Sequence, residues 1–103
     1  MHKERCGILL EGDQLIELPN LHPDPYNGFA MESHHLETEG IIGTWHTHPA
    51  TSANLSTEDY RLFIKYPNLK HYIISNVETW SFFVEDDALL CEYNEDHLLP
   101  RLP

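Results

Sequence analysis

Two histidines one residue apart, closed off by a proline, constrain this chain more than any other feature: Ile41-Ile42-Gly43-Thr44-Trp45-His46-Thr47-His48-Pro49. Strand side chains alternate with period two, so His46 and His48 share a face only if this backbone is extended. The run leading into them is apolar and β-prone, which predicts a strand from Ile41 to Thr47. Pro49 ends it, because proline cannot donate to a ladder and holds its predecessor in extended space. After a loop expected over residues 50–55, Ser56-Thr57-Glu58-Asp59-Tyr60 reads as a helix start, with a hydroxyl at the cap and acids in the first turn. Strand, loop and helix in that order can return Asp59 to the two imidazoles. Two histidines and one carboxylate with an open fourth position make a catalytic zinc site; a structural site would close with another protein ligand, usually cysteine.

Zinc in such a site brings the pKa of its water toward about 7. Hydrolysis then needs a group that holds the water and returns its proton to a leaving amine. Glu4 is the candidate, since it opens a strand-like run, Arg5 to Leu10, expected in the same sheet as the histidines. Ser56 suits two jobs: capping the helix by accepting from the amide of Asp59, and donating to the oxyanion formed when a carbonyl is attacked. A plainer reading competes with all of this. A lone His-x-His is more often ordinary polar residues at a strand end, Glu4 a terminal carboxylate, and Asp59 a complement to the helix dipole. Other metal classes fit less well. A cupin would place Glu where Ser52 and Ala53 stand, the string His-Glu-x-x-His never occurs, and a metallo-β-lactamase-like site needs Asp-His where the chain has Ala50-Thr51.

The rest of the chain sets bounds. With 103 residues it forms one domain, 1–103, with a modest core. Six Lys+Arg against 17 Asp+Glu leave a net charge of −11, which repels phosphate backbones and argues against nucleic acid. Solubility explains that charge; a basic partner or substrate face is the other reading. Two cysteines, Cys6 and Cys91, are too few for a disulfide scaffold, and Cys6 reads as packing rather than as a nucleophile. No basic, then apolar, leader follows Met1, and no apolar run approaches a membrane span, so a cytoplasmic protein with no membrane contact is expected.

Periodicity predicts a hairpin through Glu11-Gly12-Asp13-Gln14 into Leu15–Leu18, a loop over residues 19–27 and a short strand over residues 28–31. Residues 32–39 hold at most a turn of helix. The one convincing helix starts at Ser56 or Thr57, with Tyr60, Phe63 and Ile64 on one side, and ends at Tyr66-Pro67-Asn68. Strands follow at residues 71–75, 79–84 and 88–93. Trp45, Trp80, Phe82 and Phe83 are sheet or core aromatics, while His22, His34, His35, His71 and His97 have no ligand spacing and read as surface or structural. The fold class is α+β, a mixed sheet with one main helix packed on it.

Taken together, Glu4-Arg5-Cys6-Gly7-Ile8-Leu9, then His46-Thr47-His48-Pro49, with seven residues in all between His48 and Ser56, and Ser56-x-x-Asp59 resemble the JAMM (MPN+, JAB) zinc metalloproteases. The similarity runs from Glu4 to Tyr93. It implies a JAB/MPN, cytidine deaminase-like fold, Zn²⁺ held by His46, His48 and Asp59, Glu4 as general acid/base, and Ser56 as the oxyanion-stabilising hydroxyl. It also implies a protein or peptide substrate: a ubiquitin-like or sulfur-carrier tail, or a phage tail protein. Members that lack the motif serve as non-catalytic scaffolds, which is the alternative reading, alongside a phage tail-assembly part using zinc for structure. Family members carry a helix before the glutamate strand. Three residues precede Glu4 here, so a partner or self-association is expected in that helix's place. Leu55 stands where the family commonly has proline. The segment Leu18-Pro19-Asn20-Leu21-His22-Pro23-Asp24-Pro25, with Phe29, is similar to small bacterial and phage JAB domains.

Overall fold

Gly12 and Asp13, both at positive φ (82° and 61°), reverse the chain between its first two strands, and the expected hairpin forms there. The computed structural model describes residues 2–50 and 53–103. Its strands are β1 (Cys6–Leu10), β2 (Gln14–Leu18), β3 (Ile41–Thr47), β4 (Lys70–Ile74), β5 (Thr79–Glu85) and β6 (Ala88–Asn94), with the helix α1 (Thr57–Lys65) between β3 and β4. They form one sheet in the order β2-β1-β3-β4-β5-β6. Every neighbouring pair is antiparallel except β3–β4. That parallel pair needs a crossover, and α1 supplies it. Asp86 and Asp87, at φ 52° and 63°, make the two-residue turn from β5 to β6, as a type I′ hairpin requires. The result is the expected α+β class: a mixed sheet carrying one main helix.

The sheet buries both faces. On the α1 side, Phe63 packs with Ala53, Ile73 and Phe82. On the other, Trp45, Ile74 and Leu98 pack with Leu15, Tyr72, Leu99 and Leu102, so a short 3₁₀ segment, Leu99–Arg101, helps cover the second face. Nothing in the periodicity predicts that cover. Trp45 lies opposite Gly7 in the β1–β3 register. A Cβ on Gly7 would sit 1.9 Å from the Ile16 carbonyl oxygen and 2.7 Å from the indole, so only glycine lets β1 pass between them.

Two local expectations change and one between them holds. Residues 28–31 form no strand, because the Asn20 side chain takes the Gly28 carbonyl and the Ala30 amide, and the Leu21 amide takes the Ala30 carbonyl. Residues 32–39 hold a 3₁₀ turn, Ser33–Glu37. On α1 the buried residues are Asp59 and Phe63, one helical turn apart, while Tyr60 and Ile64 are exposed. The helix is rotated so that its acid faces the sheet. Of the loop expected over residues 50–55, Thr51 and Ser52 lie outside the described residues; Ala53 to Leu55 are irregular.

His71 ties α1 to the sheet. It is fully buried on β4, stacks on Phe63 (4.3 Å, 13°), and bridges Thr44 Oγ1 at Nδ1 and the Tyr66 carbonyl at Nε2. Burial pushes its pKa down from 6.5 to about 4; the Tyr66 carbonyl opposes this and His46 adds to it. The unfolded chain therefore takes a proton near pH 6.5 that the folded chain refuses until about pH 4, so stability is full above pH 6.5 and is lost as pH falls through that window. The shift corresponds to about 3 kcal/mol. In urea titrations of metal-free protein at pH 7 and 4.5, His71→Gln is expected to lose less stability than wild type by roughly that amount. Parallel losses would show that His71 is not held neutral.

Candidate metal centre

Register and capping bring the site together. Cys6 pairs with His46 and Gly7 with Trp45, which puts β1 beside β3 and carries Glu4, just ahead of β1, to the end of β3. His46 is the second-last residue of β3, facing α1, and His48 follows the strand end, its amide donating to the Ile74 carbonyl at 2.9 Å. Ser56 is the N-cap of α1. Its Oγ accepts from the Asp59 amide at 3.1 Å, and its own amide donates to Asp59 Oδ2 at 3.1 Å, a reciprocal capping box. The first bond holds the Asp59 main chain and the second holds its carboxylate, which faces β3.

There it meets the histidines. Asp59 Oδ1 is 3.1 Å from His46 Nε2, Oδ2 is 3.2 Å from His48 Nε2, and the two Nε2 atoms are 3.1 Å apart. Glu4 joins more loosely: one of its oxygens and a ring nitrogen of each histidine all lie within 4.8 Å of one another. The group Glu4, His46 and His48 can hold a metal ion. His46, Asp59 and Glu4 are buried, whereas the His48 side chain is 17% exposed and opens the site to solvent. A cleft of 470 Å³ leads in, walled by Glu4, His48, Ser56 and Asp59 together with Tyr26, Asn54 and Glu58.

Protonation follows from burial and neighbours. Burial pushes His46 down, against the opposing pull of Asp59, so the ring is neutral at physiological pH. Burial alone would push the Asp59 carboxyl up, but hydrogen bonds from His46, His48 and the Ser56 amide outweigh it and hold the acid well below the usual range. Neutral imidazole and ionised carboxylate are the forms that bind metal. Glu4 behaves differently. Burial raises it from 4.5 to about 7; His48 opposes that rise and Asp59 adds to it. One site thus holds a permanently ionised acid and a second acid that can take or give a proton near neutrality.

The profile of one family, the prokaryotic homologs of the JAB domain, matches residues 1–86. The chain belongs to that family. The six-stranded mixed sheet with its single main helix is the JAB architecture, and β6 and the segment that follows it lie beyond the matched residues. A comparison with curated proteins finds no match. Among the described residues of this JAB domain, no helix is long and apolar enough to cross a membrane.

The structure gathers all five residues singled out from the sequence: Glu4, His48, Ser56 and Asp59 line one cleft, and His46, fully buried, joins them through Asp59. It also adds residues that the sequence reading left aside. His22, taken as surface or structural, faces Glu58 at 3.3 Å beside the cleft. Phe29 stacks on the His46 ring at 4.1 Å and 23°. Only the Pro/Asn-rich resemblance around Asn20 and His22 hinted at this segment. Cys6 is buried with its thiol pushed up to about 11, chiefly by burial, which fits packing.

Proposed function

We propose that this JAB domain is a zinc-dependent metallopeptidase that hydrolyses a peptide or isopeptide bond. One observation carries the reading: His46 Nε2 and His48 Nε2 lie 3.1 Å apart, and each meets one oxygen of the Asp59 carboxylate, Oδ1 at 3.1 Å and Oδ2 at 3.2 Å, beside a solvent-reached cleft. Zinc–ligand distances of about 2.0–2.2 Å in tetrahedral geometry require ligand–ligand edges of about 3.3–3.5 Å, so the donor set fits zinc with little adjustment. No cysteine closes the set, since Cys6 bonds toward Leu18 and Pro19 and Cys91 is exposed on β6. The exposed edge of His48 leaves room for water and substrate.

When bound, zinc supplies Lewis-acid polarisation of a carbonyl and a water acidic enough to attack it. The chain supplies the rest. Glu4 takes the proton of the attacking water and delivers it to the leaving amine, a task suited to a carboxyl titrating near 7. The Ser56 hydroxyl, whose oxygen already accepts from the Asp59 amide, has its hydrogen free to donate to the developing oxyanion. His46, His48 and Asp59 hold the metal. A second cleft of 520 Å³ adjoins the first at Tyr26 and Pro49 and adds Lys3, Ile74 and Leu99, and two adjoining clefts suit an extended protein tail. Ubiquitin-like or sulfur-carrier tails and phage tail proteins are the substrates proposed on this ground and on the family resemblance.

Metal removal tests the reading. Protein stripped with a chelator is expected to lose hydrolysis of ubiquitin-like fusions and isopeptide-linked tails, and to regain it on addition of one equivalent of zinc. Zinc binding without hydrolysis of any such substrate would leave the scaffold reading in its place.

A further inference from the structure

Glu4 stands outside the sheet. β1 begins at Cys6, so no ladder hydrogen bond reaches the Glu4 main chain. Both of its backbone groups are held instead by the irregular segment that follows β2: its amide donates to the Pro25 carbonyl at 2.7 Å, and its carbonyl accepts from Asn20 Nδ2 at 2.8 Å. The same Nδ2 donates to the Gly28 carbonyl at 3.0 Å, while Asn20 Oδ1 accepts from the amides of His22 and Ala30, each at 3.1 Å. A carboxamide offers two donor hydrogens and two acceptor lone pairs, and here all four are used on main chain. The orientation of the amide is therefore unambiguous. Between two of these contacts lies Phe29, whose ring rests flat on His46.

His46 needs such a support. A metal-binding histidine usually fixes its ring by donating its other N–H to a carbonyl or carboxylate. His46 Nδ1 is buried with no hydrogen-bond partner among the described residues. Among the described residues the ring is oriented by Asp59 and His48 at Nε2 and by the Phe29 face.

We propose that residues 20–30 are a positioning device for the metal centre, in which Asn20, by bonding the main chain of Glu4, His22, Gly28 and Ala30 at once, fixes Glu4 in place and lays Phe29 on His46. The proposal rests on the reading of Glu4 and His46 as parts of a zinc peptidase. Asn20 and Phe29 act through those residues and are positioning residues, with no contact to substrate required of them.

Asn20→Asp is the direct probe. It keeps the shape and both acceptor contacts, removes two donors, and sets a carboxylate against the carbonyls of Glu4 and Gly28. Phe29→Leu keeps an apolar side chain and removes the stacked ring; Phe29→Tyr keeps the ring. Zinc affinity is read by competition with a chromophoric chelator, beside melting temperature and, with a cleavable substrate, kcat and KM. Both Asn20→Asp and Phe29→Leu are expected to weaken zinc about 10–100-fold, as loss of an outer-shell support does, with kcat falling more than KM rises and with Phe29→Tyr close to wild type. Leu98→Ala, on the opposite face of the sheet, is expected to lower the melting temperature and leave zinc affinity unchanged. If Asn20→Asp does not fold, the Phe29 pair decides by itself. Wild-type zinc affinity in Phe29→Leu, at any melting temperature, would overturn the proposal. Absence of zinc binding by folded wild type would overturn both this and the peptidase reading. Zinc binding that depends on Asn20 and Phe29, without hydrolysis of any substrate, would overturn only the latter.

Discussion

Glu4→Gln is expected to reduce hydrolysis by about 10³-fold or more, which is the scale on which a positioned acid/base contributes, while zinc content stays at the wild-type level. The amide keeps the shape of the carboxyl and can still accept a hydrogen bond from water, but it cannot take the proton. The Glu4 backbone is held by Pro25 and Asn20 and is indifferent to the change. Loss of fold would not explain such a result, and the sign of the linkage shows why. Burial raises the folded-state pKa of Glu4 from 4.5 to about 7, so its neutral form stabilises the fold below pH 4.5 and that contribution disappears as pH rises through 7. Glutamine is neutral throughout. Metal-free Glu4→Gln should therefore be at least as stable as wild type at pH 8, by urea titration, and inactive all the same. Activity in the variant within tenfold of wild type would remove Glu4 from the mechanism.

Asp59→Ala is expected to lose zinc, from about one ion per chain to a level that dialysis removes, measured by elemental analysis of untagged protein. Truncating a ligand should cost more than the roughly 100-fold that changes behind the ligands can reach. The alanine variant also breaks the capping box, since the Ser56 amide loses Asp59 Oδ2, at about 1 kcal/mol of helix stability. Asp59→Asn separates the two effects. Asparagine can still accept from the Ser56 amide, so α1 should hold, yet it carries no charge and offers a weak ligand. Zinc lost in both variants, with helix content retained in Asp59→Asn, places Asp59 on the metal. Zinc retained in both would shift the ligand set toward Glu4, His46 and His48, the looser cluster within 4.8 Å.

The parts of the fold that could be read ahead are those written in short-range patterns. The period-two run into His46, the stop at Pro49 and the Ser-x-x-Asp cap each depend on residues within a turn or a few strand positions of one another, and β3 and the start of α1 form where those patterns place them. Residues 28–31, in the loop around Asn20, depart from the expected strand for the opposite reason. Its short apolar run looks like a strand, but its hydrogen-bonding groups are taken by a side chain eight to ten residues earlier, and periodicity carries no information about such a partner. The rotation of α1 was missed likewise. Tyr60 and Ile64 compete with Phe63 for the buried side, and Asp59 meeting the histidine strand on the same face as Phe63 favours the side that turns inward.

Residue types and their local spacing alone determined that this chain offers two imidazoles on one extended face, a carboxylate in the first turn of a helix, and a further glutamate ahead of a glycine-bearing strand. Their chemistry was set there, because which atoms can ligate or carry protons is a property of the side chains. Tertiary structure decided where those atoms meet and in which charge state. The Cys6–His46 register brings Glu4 to the site, Asn20 holds it there, Phe29 supports a histidine whose Nδ1 has no hydrogen-bond partner among the described residues, and burial drives His46 and His71 neutral while lifting Glu4 toward 7. Each of these depends on segments far apart in the chain lying in contact, since desolvation and Coulomb interactions act through space and take no account of sequence distance.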